Sequence, residues 1–335
     1  MIGSLLVSLK MSISIAIPCL NGESRLAHLF AALRELRQLQ LHSDDISLYF
    51  SDNNSDDESL SYALANSSLF DDVFTSESTI PYDLHLIELA RKVRGHFLFF
   101  LGVNYILNPS EFLNQCRYLA SAEPLPDLIS AFCGEYITFS GIANSDTFYR
   151  SVSQYVGGIS GFIYKRSTFV SSSLFHYCIS NSWFEGQTAW VHSVAVLSVV
   201  TNPNSGIYIA SSNLVSVNPA SSALLKTWFS PPDRPIYYRI SFLRIVVDHV
   251  PWRHVNHCIG YWYFDPSVFM LSFRLVSFKS LFSLISYTCN TLPLKFLPRV
   301  ILPLLGGFCL SHLRRLSLSL VRSFQILKNK CLLFD

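Results

Sequence analysis

Three places in this sequence gather side chains that could do chemistry. In "LYFSDNNSDDESL", residues 48–60, an apolar run ends in Asp52, Asn53, Asn54, Ser55, Asp56 and Asp57. A carboxylate there can accept two hydrogen bonds from a ligand, while the same residue types also suit a plain turn leading into a helix. "DHVPWRHVNHC" holds Asp248, His249, His254, His257 and Cys258. His254 and His257 share a helical face, yet Pro251 and the irregular spacing match no standard zinc pattern, so a solvated aromatic patch is the preferred reading. The third place is the tail, "LSHLRRLSLSLVRSFQILKNK". Leu310, Leu313, Leu316, Leu320, Phe324 and Leu327 form one stripe there, with Arg314, Arg315, Arg322 and Lys328 elsewhere around the helix. That composition fits a helix lying in a membrane interface, or a core-packing helix with a solvated basic face.

The elements that must position these groups are legible from hydrophobic period. "SISIAIP" is short, apolar and closed by Pro18: a buried parallel strand. Leu26, Leu29, Phe30, Leu33, Leu36 and Leu39 then recur at helical spacing, with Asn21 or Ser24 able to cap the start. Ile46 to Phe50 is the second strand, which completes a βαβ unit. "PYDLHLIELARKVRG" predicts an amphipathic helix ending at Gly95, and "HFLFFLG" the next buried strand, with Pro109 as a stop. "GGISGFIYKRSTF" reads as a glycine-rich turn, a strand and a basic pair, Lys165 and Arg166. "TAWVHSVAVLSVV" is helix or strand, ambiguous by period. The alternation predicts an α/β, Rossmann-like, mostly parallel sheet flanked by helices, with a helical C-terminal extension. The loops after Pro18, Phe50 and Leu101 then open on one edge, where a ligand would sit.

Composition bounds the classes. Half of the 335 residues are hydrophobic and 14% are charged, against roughly 25% in an average soluble chain, which excludes a disordered protein. Residues 1–135 carry 17 acidic and 8 basic side chains, whereas residues 266–335 carry 9 basic ones and only Asp335 as an acid. The tail's cations are interleaved with Leu, Phe and Val, which favours an anionic membrane surface over nucleic acid. The eight cysteines are scattered, as expected for reduced thiols in the cytoplasm. "MIGSLLVSLK" is a poor signal peptide, and charges or prolines cut every apolar run before the ~20 residues that a membrane span needs. A peripheral protein on the inner face of the cell membrane is the expectation.

"SIAIPCLNGESRL", "LYFSDNNSDDESL" and "ELARKVRGHFLFFLGVNYILNP" resemble, in order and spacing, the nucleotide-binding half of family 2 glycosyltransferases of the GT-A fold. The likeness is greatest to bacterial enzymes of O-antigen and surface-polysaccharide assembly, of the abequosyltransferase kind. It covers roughly residues 12–115, with a weaker echo to about Val200. It implies a GT-A domain over 12–219 and a membrane-associating region over 220–335. It also implies a nucleotide-sugar donor, a lipid-linked glycan acceptor, and nucleotide-binding roles for Pro18, Asn21, Asp52 and Asn54. Relatives tend to carry Gly-Asp-Asp-Asp where this chain reads Gly102, Val103, Asn104, Tyr105. Those aspartates hold Mg2+ or Mn2+ against the diphosphate. Asn104 offers one neutral oxygen, which leaves three outcomes: a weak metal site completed by the diphosphate, metal-independent transfer helped by basic groups, or a degenerate relative serving as a scaffold. A general base is needed near the acceptor hydroxyl. Asp146, Glu185 and His192 are the candidates; Glu185 is preferred, with His192 as helper, because they flank "GQTAWV" near the family's acid pair.

Overall fold

The computed structural model describes residues 12–39, 45–133, 140–171, 190–224 and the isolated positions 173, 245, 246, 249 and 250. The chain divides into two units, Met1–Ala223 with Ile245–Cys258, and Leu224–Arg244 with Ile259–Asp335. Every element below belongs to the first. Glu185, His254, His257, Cys258 and the basic tail lie outside the described residues.

Strand β1 (Ile13–Cys19) is buried along its whole length, as expected of a central parallel strand covered on both faces. Helix α1 (Glu23–Leu39) packs Leu26, Leu29, Phe30, Leu33 and Leu36 inward; the stripe stops there, since Leu39 is exposed. Strand β2 (Ile46–Asp52) pairs in parallel with β1, from Ile13 opposite Ile46 to Cys19 opposite Asp52. Phe30 joins the layers, with its ring edge-on to Phe50 at 5.9 Å and to Phe70 at 5.1 Å. Burying such a ring contributes roughly 1.5–3 kcal/mol.

Helix α2 (Ser59–Ala65), strand β3 (Asp72–Thr75), helix α3 (Tyr82–Lys92) and strand β4 (Phe97–Phe100) continue the alternation. Between α3 and β4 the chain passes so near β1 that a Cβ on Gly95 would lie 2.6 Å from the Ser14 backbone nitrogen. Beyond β4 come strand β5 (Tyr105–Leu107), helix α4 (Pro109–Ala120), strand β6 (Leu128–Ser130), strand β7 (Gly141–Ala143) and helix α5 (Ser145–Ser151). Strand β8 (Phe162–Lys165), helix α6 (Arg166–Phe169), helix α7 (Val191–Thr201), strand β9 (Ile207–Ile209) and strand β10 (Val215–Val217) follow. Pro109 does not stop the chain but opens α4, where its missing N–H costs nothing. The ambiguous "TAWVHSVAVLSVV" supplies α7 from Val191 onward, buried on nearly all sides and therefore without a one-faced period.

The large sheet has the order β3-β2-β1-β4-β8-β6-β9-β7, and β5 pairs with β10 apart from it. Six strands point one way; β8 and β7 run against them. The loops leaving β1, β2, β3 and β4 therefore share one edge.

Candidate functional site

Asn21 and Asn54 both take left-handed backbone angles, φ 51° and 59°, which asparagine tolerates better than most residues. The two turns are sewn together. Asn53 N–H donates to the Cys19 carbonyl at 2.9 Å, Asn21 N–H to Ser55 Oγ at 2.9 Å, and Asp56 N–H to Asn21 Oδ1 at 2.8 Å. Glu23 N–H donates to Asp57 Oδ2 at 3.1 Å, and Gly22 N–H to Ser59 Oγ at 2.8 Å. Gly22 has to be small, because a Cβ there would lie 2.6 Å from Cys19 Sγ. Burial pushes the Cys19 thiol up to about 12, so it is a packing group rather than a nucleophile.

Asp52 is only 1% exposed. Its Oδ2 accepts the Ser55 N–H at 2.9 Å and its Oδ1 the Ser55 hydroxyl at 2.6 Å. It thus builds the turn, with one hydrogen bond accepted on each carboxylate oxygen. Pro18 lies within β1 itself, opposite Ser51. Asn54 reaches Thr79 Oγ1 at 3.5 Å, and Asn53 holds both the N–H and the C=O of Ile80, so the approach to α3 joins the same edge.

Asn104 closes the cluster through a residue that sequence reading passed over. Arg25, in the first turn of α1, donates from Nη1 to Asn104 Oδ1 at 3.0 Å and from Nη2 to the Asn21 carbonyl. The turns at Asn21, Asp52 and Asn104 therefore converge. Burial lowers the Arg25 pKa, and Cys19 and then Asp57 partly offset this. Asn218 was also missed: its Nδ2 donates to the Arg25 carbonyl at 2.9 Å and the Val103 carbonyl at 3.0 Å, and its N–H to the Asn104 carbonyl at 2.8 Å. A signal for Arg25 was present, since it sits beside Leu26 and one turn before Leu29 on the buried face of α1. Asn218 offered none.

The residues at the end of β4 do not suit a divalent cation. Val103 is apolar, the Asn104 amide oxygen already faces a guanidinium, and no group of three or more His, Cys, Asp or Glu among the described residues is arranged to hold a metal.

His192 is 2% exposed at the start of α7; its Nε2–H donates to the Gly157 carbonyl at 3.2 Å, and burial lowers its pKa to about 4. It is neutral at pH 7. Enclosed in this way, it can position the Gly157 turn rather than exchange protons with solvent. Asp146, in contrast, follows β7 at the opposite edge of the sheet, because β7 runs backwards against β9. Lys165 and Arg166 are there too, since Lys165 lies opposite Phe97 at the start of β4. Lys165 pairs with Asp127 at 3.0 Å and Arg166 donates to the Gly95 and Ala90 carbonyls, so the basic pair closes a strand end rather than meeting a diphosphate. His249 donates from Nδ1 to the Ile245 carbonyl at 2.9 Å. A cleft of about 290 Å³, lined by Glu111, Gln115, Tyr118, Tyr208 and Ser212, lies on α4 and past the end of β9, and none of the residues joined at the strand-end cluster lines it.

Among solved structures the chain is similar to S. aureus TarS 1-349 in complex with UDP-GlcNAc, with a TM-score of 0.54 at 12% identity over 89% of each chain. TarS 1-349 without that ligand gives 0.50 at 11% identity, again over 89% of each chain. A glucosyl-3-phosphoglycerate synthase from Mycobacterium tuberculosis, in complex with Mn2+, UDP and glucosyl-3-phosphoglycerate, scores 0.44 at 13% identity, covering 71% of this chain and 80% of that one. No protein-family model matches the sequence, and no curated protein matches it. The fold is that of the GT-A glycosyltransferases: a large, mostly parallel sheet between helices.

Proposed function

We propose that this chain is a glycosyltransferase that takes a sugar from a nucleotide-diphosphate donor and passes it to a lipid-linked surface glycan, of the O-antigen or polysaccharide kind. One observation carries the reading: the turns bearing Asn21, Asp52 and Asn104 meet through direct hydrogen bonds at the carboxyl edge of a GT-A sheet. The 12–219 region is the transfer domain. Asp52 and Asn54, with the loop after Pro18, receive the nucleoside. In the transfer step the acceptor oxygen forms a bond to the anomeric carbon while the bond from that carbon to the diphosphate breaks. Glu185 takes the acceptor proton, and the nucleoside diphosphate leaves with the bonding pair. The apolar, basic composition of 266–335 supports a 220–335 region that rests on anionic lipid at the inner face of the membrane, where such an acceptor is carried. Among the described residues no helix is long and apolar enough to cross a membrane.

The test is turnover of UDP-, GDP- and CDP-sugars by the full chain, with anionic vesicles carrying a lipid-linked glycan. Transfer is expected with one donor. Glu185→Gln should slow it by at least about a hundredfold, within the range of a lost general base, and leave nucleotide binding intact. Binding without turnover would instead favour a catalytically degenerate scaffold, a reading to which the replaced aspartates at 103–105 lend support. An unchanged rate in Glu185→Gln would remove Glu185 as the base.

A further inference from the structure

We propose that the Arg25 guanidinium, held on the Asn104 side chain, is the cation that meets the donor's diphosphate, so that nucleotide binding at this edge needs no divalent metal. The inference rests on the nucleotide-site reading above and adds to it the group that takes the charge.

Arg25 is 8% exposed, and its two partners at this edge, Asn21 O and Asn104 Oδ1, are both neutral oxygens. Its Nε–H is buried and has no acceptor among the described residues. The ion pairs among the described residues, Arg37 with Asp71 and Lys165 with Asp127, lie elsewhere. Asp57 is near enough to favour the charged form, but its oxygens already accept from Glu23 N–H, Ser59 N–H and Ser59 Oγ. A buried charge met only by neutral partners is costly, and an anion would relieve that cost. A guanidinium with free N–H groups offers the planar fork that binds two phosphate oxygens at once. Its position in the first turn of the 17-residue α1 adds the positive end of the helix dipole. The Asn104 amide fixes the fork without neutralising it, whereas an aspartate there would form an ion pair with it.

That last point separates a cationic side chain from a weak metal site, because the two give opposite signs for one substitution. The experiment is calorimetric titration of UDP, GDP and CDP into the full chain, in EDTA and in excess Mn2+, for the native protein, Asn104→Asp and Arg25→Gln. We expect the nucleotide that binds to do so equally well in EDTA and in Mn2+. Asn104→Asp should weaken it about tenfold and Arg25→Gln by about ten- to a hundredfold, the scale of charged hydrogen bonds. Binding that requires Mn2+, or binding that tightens in Asn104→Asp with Mn2+, would overturn the inference and leave the nucleotide site standing. No binding of any of the three in either buffer would overturn the nucleotide site itself. The EDTA comparison and Asn104→Asp keep the test decisive even if Arg25→Gln does not fold.

Discussion

Lowering the pH from 6.5 to 4 should remove about 6 kcal/mol of folding stability, through two histidines that the fold keeps neutral. His85 and His192 are 4% and 2% exposed, and the pKa of each falls from 6.5 to about 4. Burial is the main cause for both; Lys92 adds to it at His85, and the bond to the Gly157 carbonyl partly opposes it at His192. Between pH 6.5 and 4 the unfolded chain binds these protons and the folded chain does not. Stability is therefore fully present above 6.5, falls as the pH drops, and levels off below 4. Each shift corresponds to about 3 kcal/mol, and two of them approach the whole stability of an ordinary domain. Urea midpoints measured at pH 7, 5.5 and 4.5 test this. His85→Gln, which can still meet the Ser51 hydroxyl bonded to His85 Nε2 at 2.8 Å, should halve the slope with pH. A midpoint that stays flat across the window would show that these rings titrate normally.

Asn218→Ala should be the most damaging single truncation near the site. Asn218 is 1% exposed, and its side chain bonds the Arg25 and Val103 carbonyls and accepts the Ala220 N–H at 3.0 Å. Removing it leaves the Val103 carbonyl and the Ala220 N–H unpaired beside a small void, while the Arg25 carbonyl keeps its helical bond within α1. At about 1–3 kcal/mol for each stranded buried group, the expected loss is about 2–5 kcal/mol, or roughly 10 °C in Tm for a domain of this size. Because the same side chain ties the start of α1 to the turn after β4, nucleotide affinity should fall with it. Asn108→Ala serves as a control, since its Nδ2 makes one exposed bond, to the Asn213 carbonyl at 2.7 Å. Equal melting of the Asn218 and Asn108 variants would contradict this role.

The first half of the fold could be read directly because its signals are local. β1, α1 and β2 each carry their own period, and right-handed βαβ connection leaves little choice in arranging them. Gly95 likewise marked the break between a helix and β4, although α3 ends earlier, at Lys92. What escaped reading was long-range. Lys165 and Arg166 read only as a basic pair at a strand end; that β8 runs backwards was hidden, because hydrophobicity carries no strand direction. Asp146 moved to the far edge for the same reason. Asn218 acts on residues 193 and 115 positions away, and nothing in its own neighbourhood marks it. Arg25 was the recoverable one, as a cation on the buried face of an amphipathic helix needs a partner, and Asn104 is that partner. Asp52 was legible as part of a turn, but its burial under Ser55 was not.

The central claim is that residues 20–25, 52–59 and 102–106 form one nucleotide-binding surface. Hydrogen–deuterium exchange of the full chain, with and without saturating UDP, GDP or CDP, tests it most directly. One of these nucleotides should slow exchange in all three segments together and leave the opposite edge, around 144–146 and 165–166, unchanged. Protection confined to other places, such as the Tyr118 and Tyr208 cleft, or protection nowhere, would contradict it.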